Sequence, residues 1–182
     1  MIKSTRIFSI AKLKNSTNVI DSFIYSTEQQ LVILTSIGRL FKFNLSNKSL
    51  NPSTKQSQGL LLVNLLPTEQ IVSCCKSKDK EMLYLVSKKG KFFKLNIDEI
   101  YDSFNSKLGY VNEKIQLKND HFIKVISNNQ DINIETNKNK SARLDLNKLA
   151  INSNKNILKV EFLDLEKDEY LENCSRLENY KD

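Results

Sequence analysis

Apolar residues along this chain fall in runs of roughly four to eight, separated by short polar turns, and the runs recur. Leu31-Val32-Ile33-Leu34-Thr35 passes through Ser36-Ile37-Gly38 into Arg39-Leu40-Phe41-Lys42-Phe43-Asn44-Leu45, and Met82-Leu83-Tyr84-Leu85-Val86 turns at Gly90 into Lys91-Phe92-Phe93-Lys94-Leu95. Asp131-Ile132-Asn133-Ile134-Glu135-Thr136 alternates cleanly and leads through Asn139 into Lys140-Ser141-Ala142-Arg143-Leu144-Asp145-Leu146. Runs this short, rich in β-branched and aromatic residues, predict β-hairpins rather than helices. Asn139 stands where the other two turns have Gly, and Asn is the next best residue for left-handed backbone, so the physical requirement survives the change of residue.

Each hairpin is followed by an apolar strand, a polar turn and a second apolar strand. These are Gly59 to Leu66 with Gln70 to Ser73, Gly109 to Leu117 with Phe122 to Ser127, and Ile157 to Leu165 with Tyr170-Leu171. Another copy of this half stands alone at the N-terminus, where Ile7 to Asn15 precedes Val19-Ile20, so that Leu13, Leu65, Leu117 and Leu165 fall at spacings of 52, 52 and 48. A period of about 50 residues is the mark of a propeller-like array. The fold predicted is all-β, a β-pinwheel or propeller-like repeat of four-stranded blades in an incomplete ring. Its parts are a half-blade at 6–27, repeats at about 28–77, 78–129 and 130–172, and an acidic tail at 173–182.

An unpaired strand edge is a liability that proteins cover or close. The simplest closure has the orphan half-blade completing the sheet of the last unit; pairing with a second copy or with an upstream polypeptide are the alternatives. Helix is limited to one turn at Asp98 to Tyr101 and a helix-tolerant composition over Lys167 to Tyr180, while Ser46 to Gln58 and Asp102 to Leu108 read as polar rim loops.

The net charge of +7 is unevenly spread: residues 1–160 carry 25 Lys and Arg against 13 Asp and Glu, and residues 161–182 carry 3 against 8. A basic body of this size suits a polyanion, since each neutralised phosphate releases counterions. A Lys- and Asn-rich composition set by genome base bias gives the same surplus, so charge alone leaves the partner open. The acidic tail is either a plain soluble end or a tethered competitor for the basic surface. No apolar run reaches the roughly 18 to 20 residues needed to cross a bilayer, and the N-terminus lacks a secretory pattern, which predicts a cytoplasmic protein without membrane contact. Cys74, Cys75 and Cys174 have no metal-ligand spacing and read as reduced fillers, and the lone His121 reads as structural. With no Gly-rich phosphate loop, nucleophile elbow or metal cluster, the chain is expected to be nonenzymatic by itself and to need no cofactor.

The segments Leu31 to Phe41, Gly59-Leu60-Leu61-Leu62-Val63-Asn64-Leu65-Leu66-Pro67 and Asn18 to Thr27 resemble the C-terminal β-pinwheel domain of the A subunit of bacterial DNA gyrase and topoisomerase IV. The resemblance runs over about residues 12–127 and weakens through 131–172. It implies binding and bending of duplex DNA around a basic perimeter, in partnership with a type II topoisomerase core. Nothing in the sequence corresponds to that family's cleavage domain or its basic glycine-rich box. Under this resemblance the DNA-contacting residues are those at and after each turn: Arg39 and Lys42, Lys88, Lys89, Lys91 and Lys94, then Lys140 and Arg143. Gly38, Gly59, Gly90, Gly109 and Asn139 are the structural turn positions. The alternatives are a protein-interaction module that docks on a topoisomerase core or another protein without DNA, since fold alone does not fix function, and a non-functional remnant of a split or decaying gene.

Overall fold

A computed structural model describes residues 18–23, 28–44, 61–104, 108–112, 115, 117–127, 131–148, 157–159 and 165–176. Its elements are β1 (Gln30–Thr35), β2 (Leu40–Phe43), β3 (Ile71–Ser77), β4 (Met82–Ser87), β5 (Lys91–Asn96), a 3-10 turn (Ile97–Glu99), β6 (Phe122–Ser127), β7 (Asp131–Thr136), β8 (Ser141–Asp145), β9 (Ile157–Lys159) and β10 (Leu171–Arg176). They form three antiparallel sheets, ordered β2-β1-β3, β6-β4-β5-β9 and β10-β7-β8. We call these blades 1, 2 and 3. The hairpin turns meet their conformational demand: Gly38, Gly90 and Asn139 have φ of 87°, 74° and 59°. The proposed half-blade lies outside the described residues apart from 18–23.

One feature of the topology departs from the sequence expectation. In the second and third repeats the first strand of the second half does not join its own hairpin but crosses to the preceding blade. β9 of the third repeat pairs with β5 through Phe93↔Ile157, Phe92↔Leu158 and Lys91↔Lys159. Tyr110 of the second repeat does the same to blade 1, its N–H donating to Leu40 O at 2.7 Å while Leu40 N–H donates to Tyr110 O at 2.9 Å. The contiguous 50-residue unit is therefore offset from the folded blade, and neighbouring blades are tied by main-chain bonds as well as by packing.

The core lies between blades. Val32, Leu34 and Leu40 of blade 1 pack with Leu83, Leu85, Phe93, Phe122 and Val125 of blade 2. Tyr84, Val86, Phe92 and Ile126, on the opposite face of blade 2, pack with Ile132, Ile134, Leu144 and Leu171 of blade 3. Burial on both faces is why β4 is a continuous apolar run, whereas β7 alternates.

That alternation also gives blade 3 a polar outer face. The positions that face the next blade are Val32, Leu34 and Leu40 in blade 1 and Tyr84, Val86 and Phe92 in blade 2. Through the hairpin registers they correspond to Asn133, Glu135 and Ser141 in blade 3. The polar face is laced together: Asn133 and Asn173 side-chain amides both donate to the Glu135 carboxylate, and Arg143 donates to Asp131. A polar outer face is what an array needs on its last repeat. An apolar sheet stacked on this face would bury that network, whereas a strand pairing at the β8 edge would leave it in place. The composition over 167–180 also misled: Leu171–Arg176 is a strand paired with β7, so the sheet extends into the stretch assigned to the tail. Nor is 102–108 only a rim loop, since Phe104 packs edge-on to Phe43 at 5.1 Å.

Candidate nucleic-acid interface

The basic residues chosen from sequence occupy equivalent places, yet the structure treats them differently. In each blade the hydroxyl residue before the turn sits at a bulge, and its carbonyl accepts the N–H of the turn residue: Gly38 to Thr35, Gly90 to Ser87 and Asn139 to Thr136, at 3.0, 3.0 and 2.9 Å. The residue after the turn is Arg39, Lys91 or Lys140.

Arg39 is a correction to the expected interface. Its guanidinium is buried and fully engaged, donating from Nε to Glu69 at 2.9 Å, from Nη2 to Asn64 O at 2.7 Å and from Nη1 to Leu108 O at 3.1 Å. The side chains of Arg39 and Glu69 are 9% and 1% exposed. A phosphate has no route to this group. Glu69 in turn accepts the Leu66 N–H at 2.8 Å, so the pair fastens the turn of blade 1 to the segments leading into and out of it.

Blade 3 repeats the clamp with other residues. Lys140 Nζ lies 2.9 Å from the buried Glu169 and 3.2 Å from Glu166, and Lys138 also pairs with Glu166. The Thr136 hydroxyl donates to Glu169 at 2.8 Å, and the Glu166 N–H donates to it at 3.1 Å. Lys140 is thereby neutralised in place. Arg143 forms an exposed pair with Asp131, and Lys42 donates to Ile97 O at 3.2 Å.

Blade 2 lacks the clamp. At the position of Glu69 and Glu169 stands Asp120, one methylene shorter, and it accepts the N–H groups of Lys89 and His121 instead of a lysine side chain. Among the described residues neither Lys89 nor Lys91 has an ion pair. Lys88 lies 4.0 Å over the Tyr170 ring and Lys94 5.6 Å from the Tyr84 ring, contacts that orient a lysine without cancelling its charge. Lys88, Lys89 and Lys167 border, together with Asp120, Asp168 and Glu169, a cleft of about 360 Å³ between blades 2 and 3. Lys88, Lys89, Lys91 and Lys94 of blade 2 thus have no ion pair among the described residues, whereas Arg39 and Lys140 are engaged by glutamates. Gly59 lies outside the described residues. The clamp carboxylates Glu69, Asp120 and Glu169, missed in the sequence, follow their basic partners by 30, 29 and 29 residues, a period visible once the hairpins are aligned.

The clamps also set the acid response. Burial raises the Glu69 carboxyl, but the Leu66 N–H, the Thr35 hydroxyl and Arg39 outweigh it and hold the group below its ordinary value. Glu169 is drawn down to about 2, chiefly by its bond to Lys140, against burial and with help from the Glu166 N–H and the Thr136 hydroxyl. Unfolded, both titrate near ~4.3. The folded form binds protons less readily, so the stabilisation is complete above that value and drains away as pH falls toward about 2. The urea midpoint should decline across this window, and Glu169→Gln should flatten the decline; an unchanged slope in that variant would remove the assignment. The thiols work in the opposite sense, burial pushing Cys74 up to about 11 and Cys174 to about 12, so both stay protonated and unreactive near neutrality.

No protein-family model matches the chain, and no curated protein matches it in sequence. Solved structures do share its fold. The C-terminal domain of DNA topoisomerase IV superposes with a TM-score of 0.57 at 17% identity, over 82% of this chain and 46% of that one. The Escherichia coli ParC C-terminal domain superposes at 0.58 and 16% identity, over 84% and 64%. These matches establish the class: an all-β, incomplete pinwheel. The chain spans about half to two-thirds of the length of those domains. No helix among the described residues is long and apolar enough to cross a membrane.

Proposed function

We propose that this chain is a duplex-DNA-binding domain of a type II topoisomerase system. On this reading it contacts phosphates through the turn of blade 2 and the strand that follows it, β5, and is nonenzymatic by itself. The observation that carries the proposal is the missing clamp. Of three equivalent basic positions, two are held by a buried glutamate, while Lys91 of blade 2 has no ion pair among the described residues. Structural lysines explain themselves by their partners; Lys88, Lys89, Lys91 and Lys94 have no carboxylate partner among the described residues. The shared pinwheel fold and the +7 net charge support the same reading. Contacts of this kind position a protein on the backbone and carry little sequence information.

The test is the affinity for a random-sequence duplex, by fluorescence anisotropy, at ~50 and ~200 mM salt. Binding is expected to fall steeply with salt. The variant Lys88→Ala/Lys89→Ala/Lys91→Ala should reduce the slope of log K against log salt by about 0.9 for each lysine that touches a phosphate. Lys148→Ala, at an exposed lysine paired with Asp145, should not. Absence of wild-type binding at the lower salt would overturn the proposal, as would an unchanged slope in the triple variant.

A further inference from the structure

The turns of blades 2 and 3 carry the same two lysines. Lys138 and Lys140 of blade 3 stand where blade 2 has Lys89 and Lys91, whereas blade 1 has Ile37 and Arg39. What separates blade 3 is one residue, Glu166, whose carboxylate bridges Lys138 and Lys140. Three residues before the clamp carboxylates Glu69 and Asp120 the chain has leucine, at Leu66 and Leu117; three before Glu169 it has Glu166.

The fold makes no use of that side chain. In blades 1 and 3 the turn is closed by main-chain groups: the Leu66 and Glu166 N–H groups donate to Glu69 and Glu169 at 2.8 and 3.1 Å, and their carbonyls accept the Glu69 and Glu169 N–H groups at 3.1 and 2.9 Å. A leucine serves this turn as well as a glutamate does. The carboxylate at 166 faces solvent, 58% exposed, and is held below its ordinary protonation range by Lys138 first and Lys140 second, so it stays charged. Among the described residues it is the only ion-pair partner of Lys138.

Exposure distinguishes this pair from the blade 1 clamp. The Arg39 side chain is 9% exposed and sealed in, whereas those of Lys138 and Lys140 are 38% and 43% exposed. Exposed ion pairs hold weakly. A phosphate could replace Glu166 on both lysines while the buried Glu169 kept its bond to Lys140.

We propose that the turn of blade 3 is a further phosphate-binding site, built from Lys138 and Lys140 and covered in the resting chain by Glu166, which a duplex phosphate must displace. The site rests on the reading of blade 2 as a phosphate contact and extends it to the neighbouring blade. Glu166 then sets how many blades the duplex engages.

The test uses the full chain with Glu166→Leu, the residue found in blades 1 and 2, and separately with Glu166→Gln, which keeps the shape. Affinity for a random-sequence duplex is measured between ~50 and ~200 mM salt. In both variants the slope of log K against log salt should steepen by about 0.9 for each lysine that gains a phosphate. Glu172→Gln, which removes an exposed carboxylate on β10, should leave the slope unchanged. Lys138→Ala should cost more affinity in the Glu166→Leu chain than in the unmodified one. Without DNA, acylation of Lys138 by an amine-reactive ester, read by mass spectrometry, should quicken in both Glu166 variants. Unchanged acylation, a slope no steeper than that of Glu172→Gln, or a gain that survives Lys138→Ala would each overturn the proposal. If the unmodified chain binds through blade 2 and the Glu166 variants add nothing, this site falls and the reading of blade 2 stands. If only the Glu166 variants bind, the reverse holds, and binding by none of the chains overturns both.

Discussion

Replacing Glu69 with alanine should lower the unfolding free energy by about 3 to 5 kcal/mol, the cost of leaving a buried cation without its partner. A domain of this kind has roughly 5 to 15 kcal/mol in total, so the variant should sit close to its unfolding transition at room temperature. The magnitude follows from geometry: the guanidinium is held between a carboxylate, two carbonyls and the Phe41 ring, 4.9 Å from its centroid, and water does not replace the carboxylate easily. Glu69→Gln should cost less, because it retains a carbonyl oxygen for the Leu66 N–H. Arg39→Met combined with Glu69→Ala should recover part of the loss, since it removes the stranded charge. Urea unfolding followed by circular dichroism measures all three. A double variant no more stable than Glu69→Ala would show that uncompensated charge is not the cause.

The second large effect is steric. Gly109 has φ of 68°, and a Cβ there would fall 2.7, 2.9 and 3.1 Å from three atoms of the Phe41 ring. Phe41 is 1% exposed and packs with Ile33, Phe43 and Val63, so it has nowhere to retreat. Gly109→Ala should therefore cost about 2 to 4 kcal/mol, from left-handed backbone strain and from overpacking together. The site makes a revealing control. A second substitution, Phe41→Leu, opens space beside the added methyl and should relieve the overlap but not the backbone strain. Thermal denaturation of the single and double variants separates the two contributions, and full additivity of their losses would contradict the contact.

Much of the blade was legible because its determinants are local. Hairpin positions follow from apolar runs bounded by a residue that tolerates positive φ, and Gly38, Gly90 and Asn139 all adopt it. The 3-10 turn at Ile97–Glu99 follows β5 where one helical turn was expected, capped by the Asn96 side chain. What escaped was relational. The apolar run at 109–117 looks the same whether it joins its own hairpin or the previous one, because strand composition does not encode the identity of the neighbour. Arg39 and Lys91 are likewise indistinguishable in a strand pattern; only a carboxylate about 30 residues downstream tells the buried cation from the free one. β10 was hidden by Glu172, Asn173 and Ser175, polar residues suited to the outermost strand of a terminal sheet. The same polar positions, read against blades 1 and 2, are what set blade 3 apart.

Because blade 2 borrows its fourth strand from the third repeat, and blade 1 a bridge at Tyr110 from the second, the segment that a gene can duplicate and the body that folds are out of phase. Excising residues 78–127 would join Ser77 to the third repeat and leave Ile157–Lys159 facing β2, the same edge type it meets on β5. Blade number could thus change by one through an in-frame deletion or duplication with no junction to redesign.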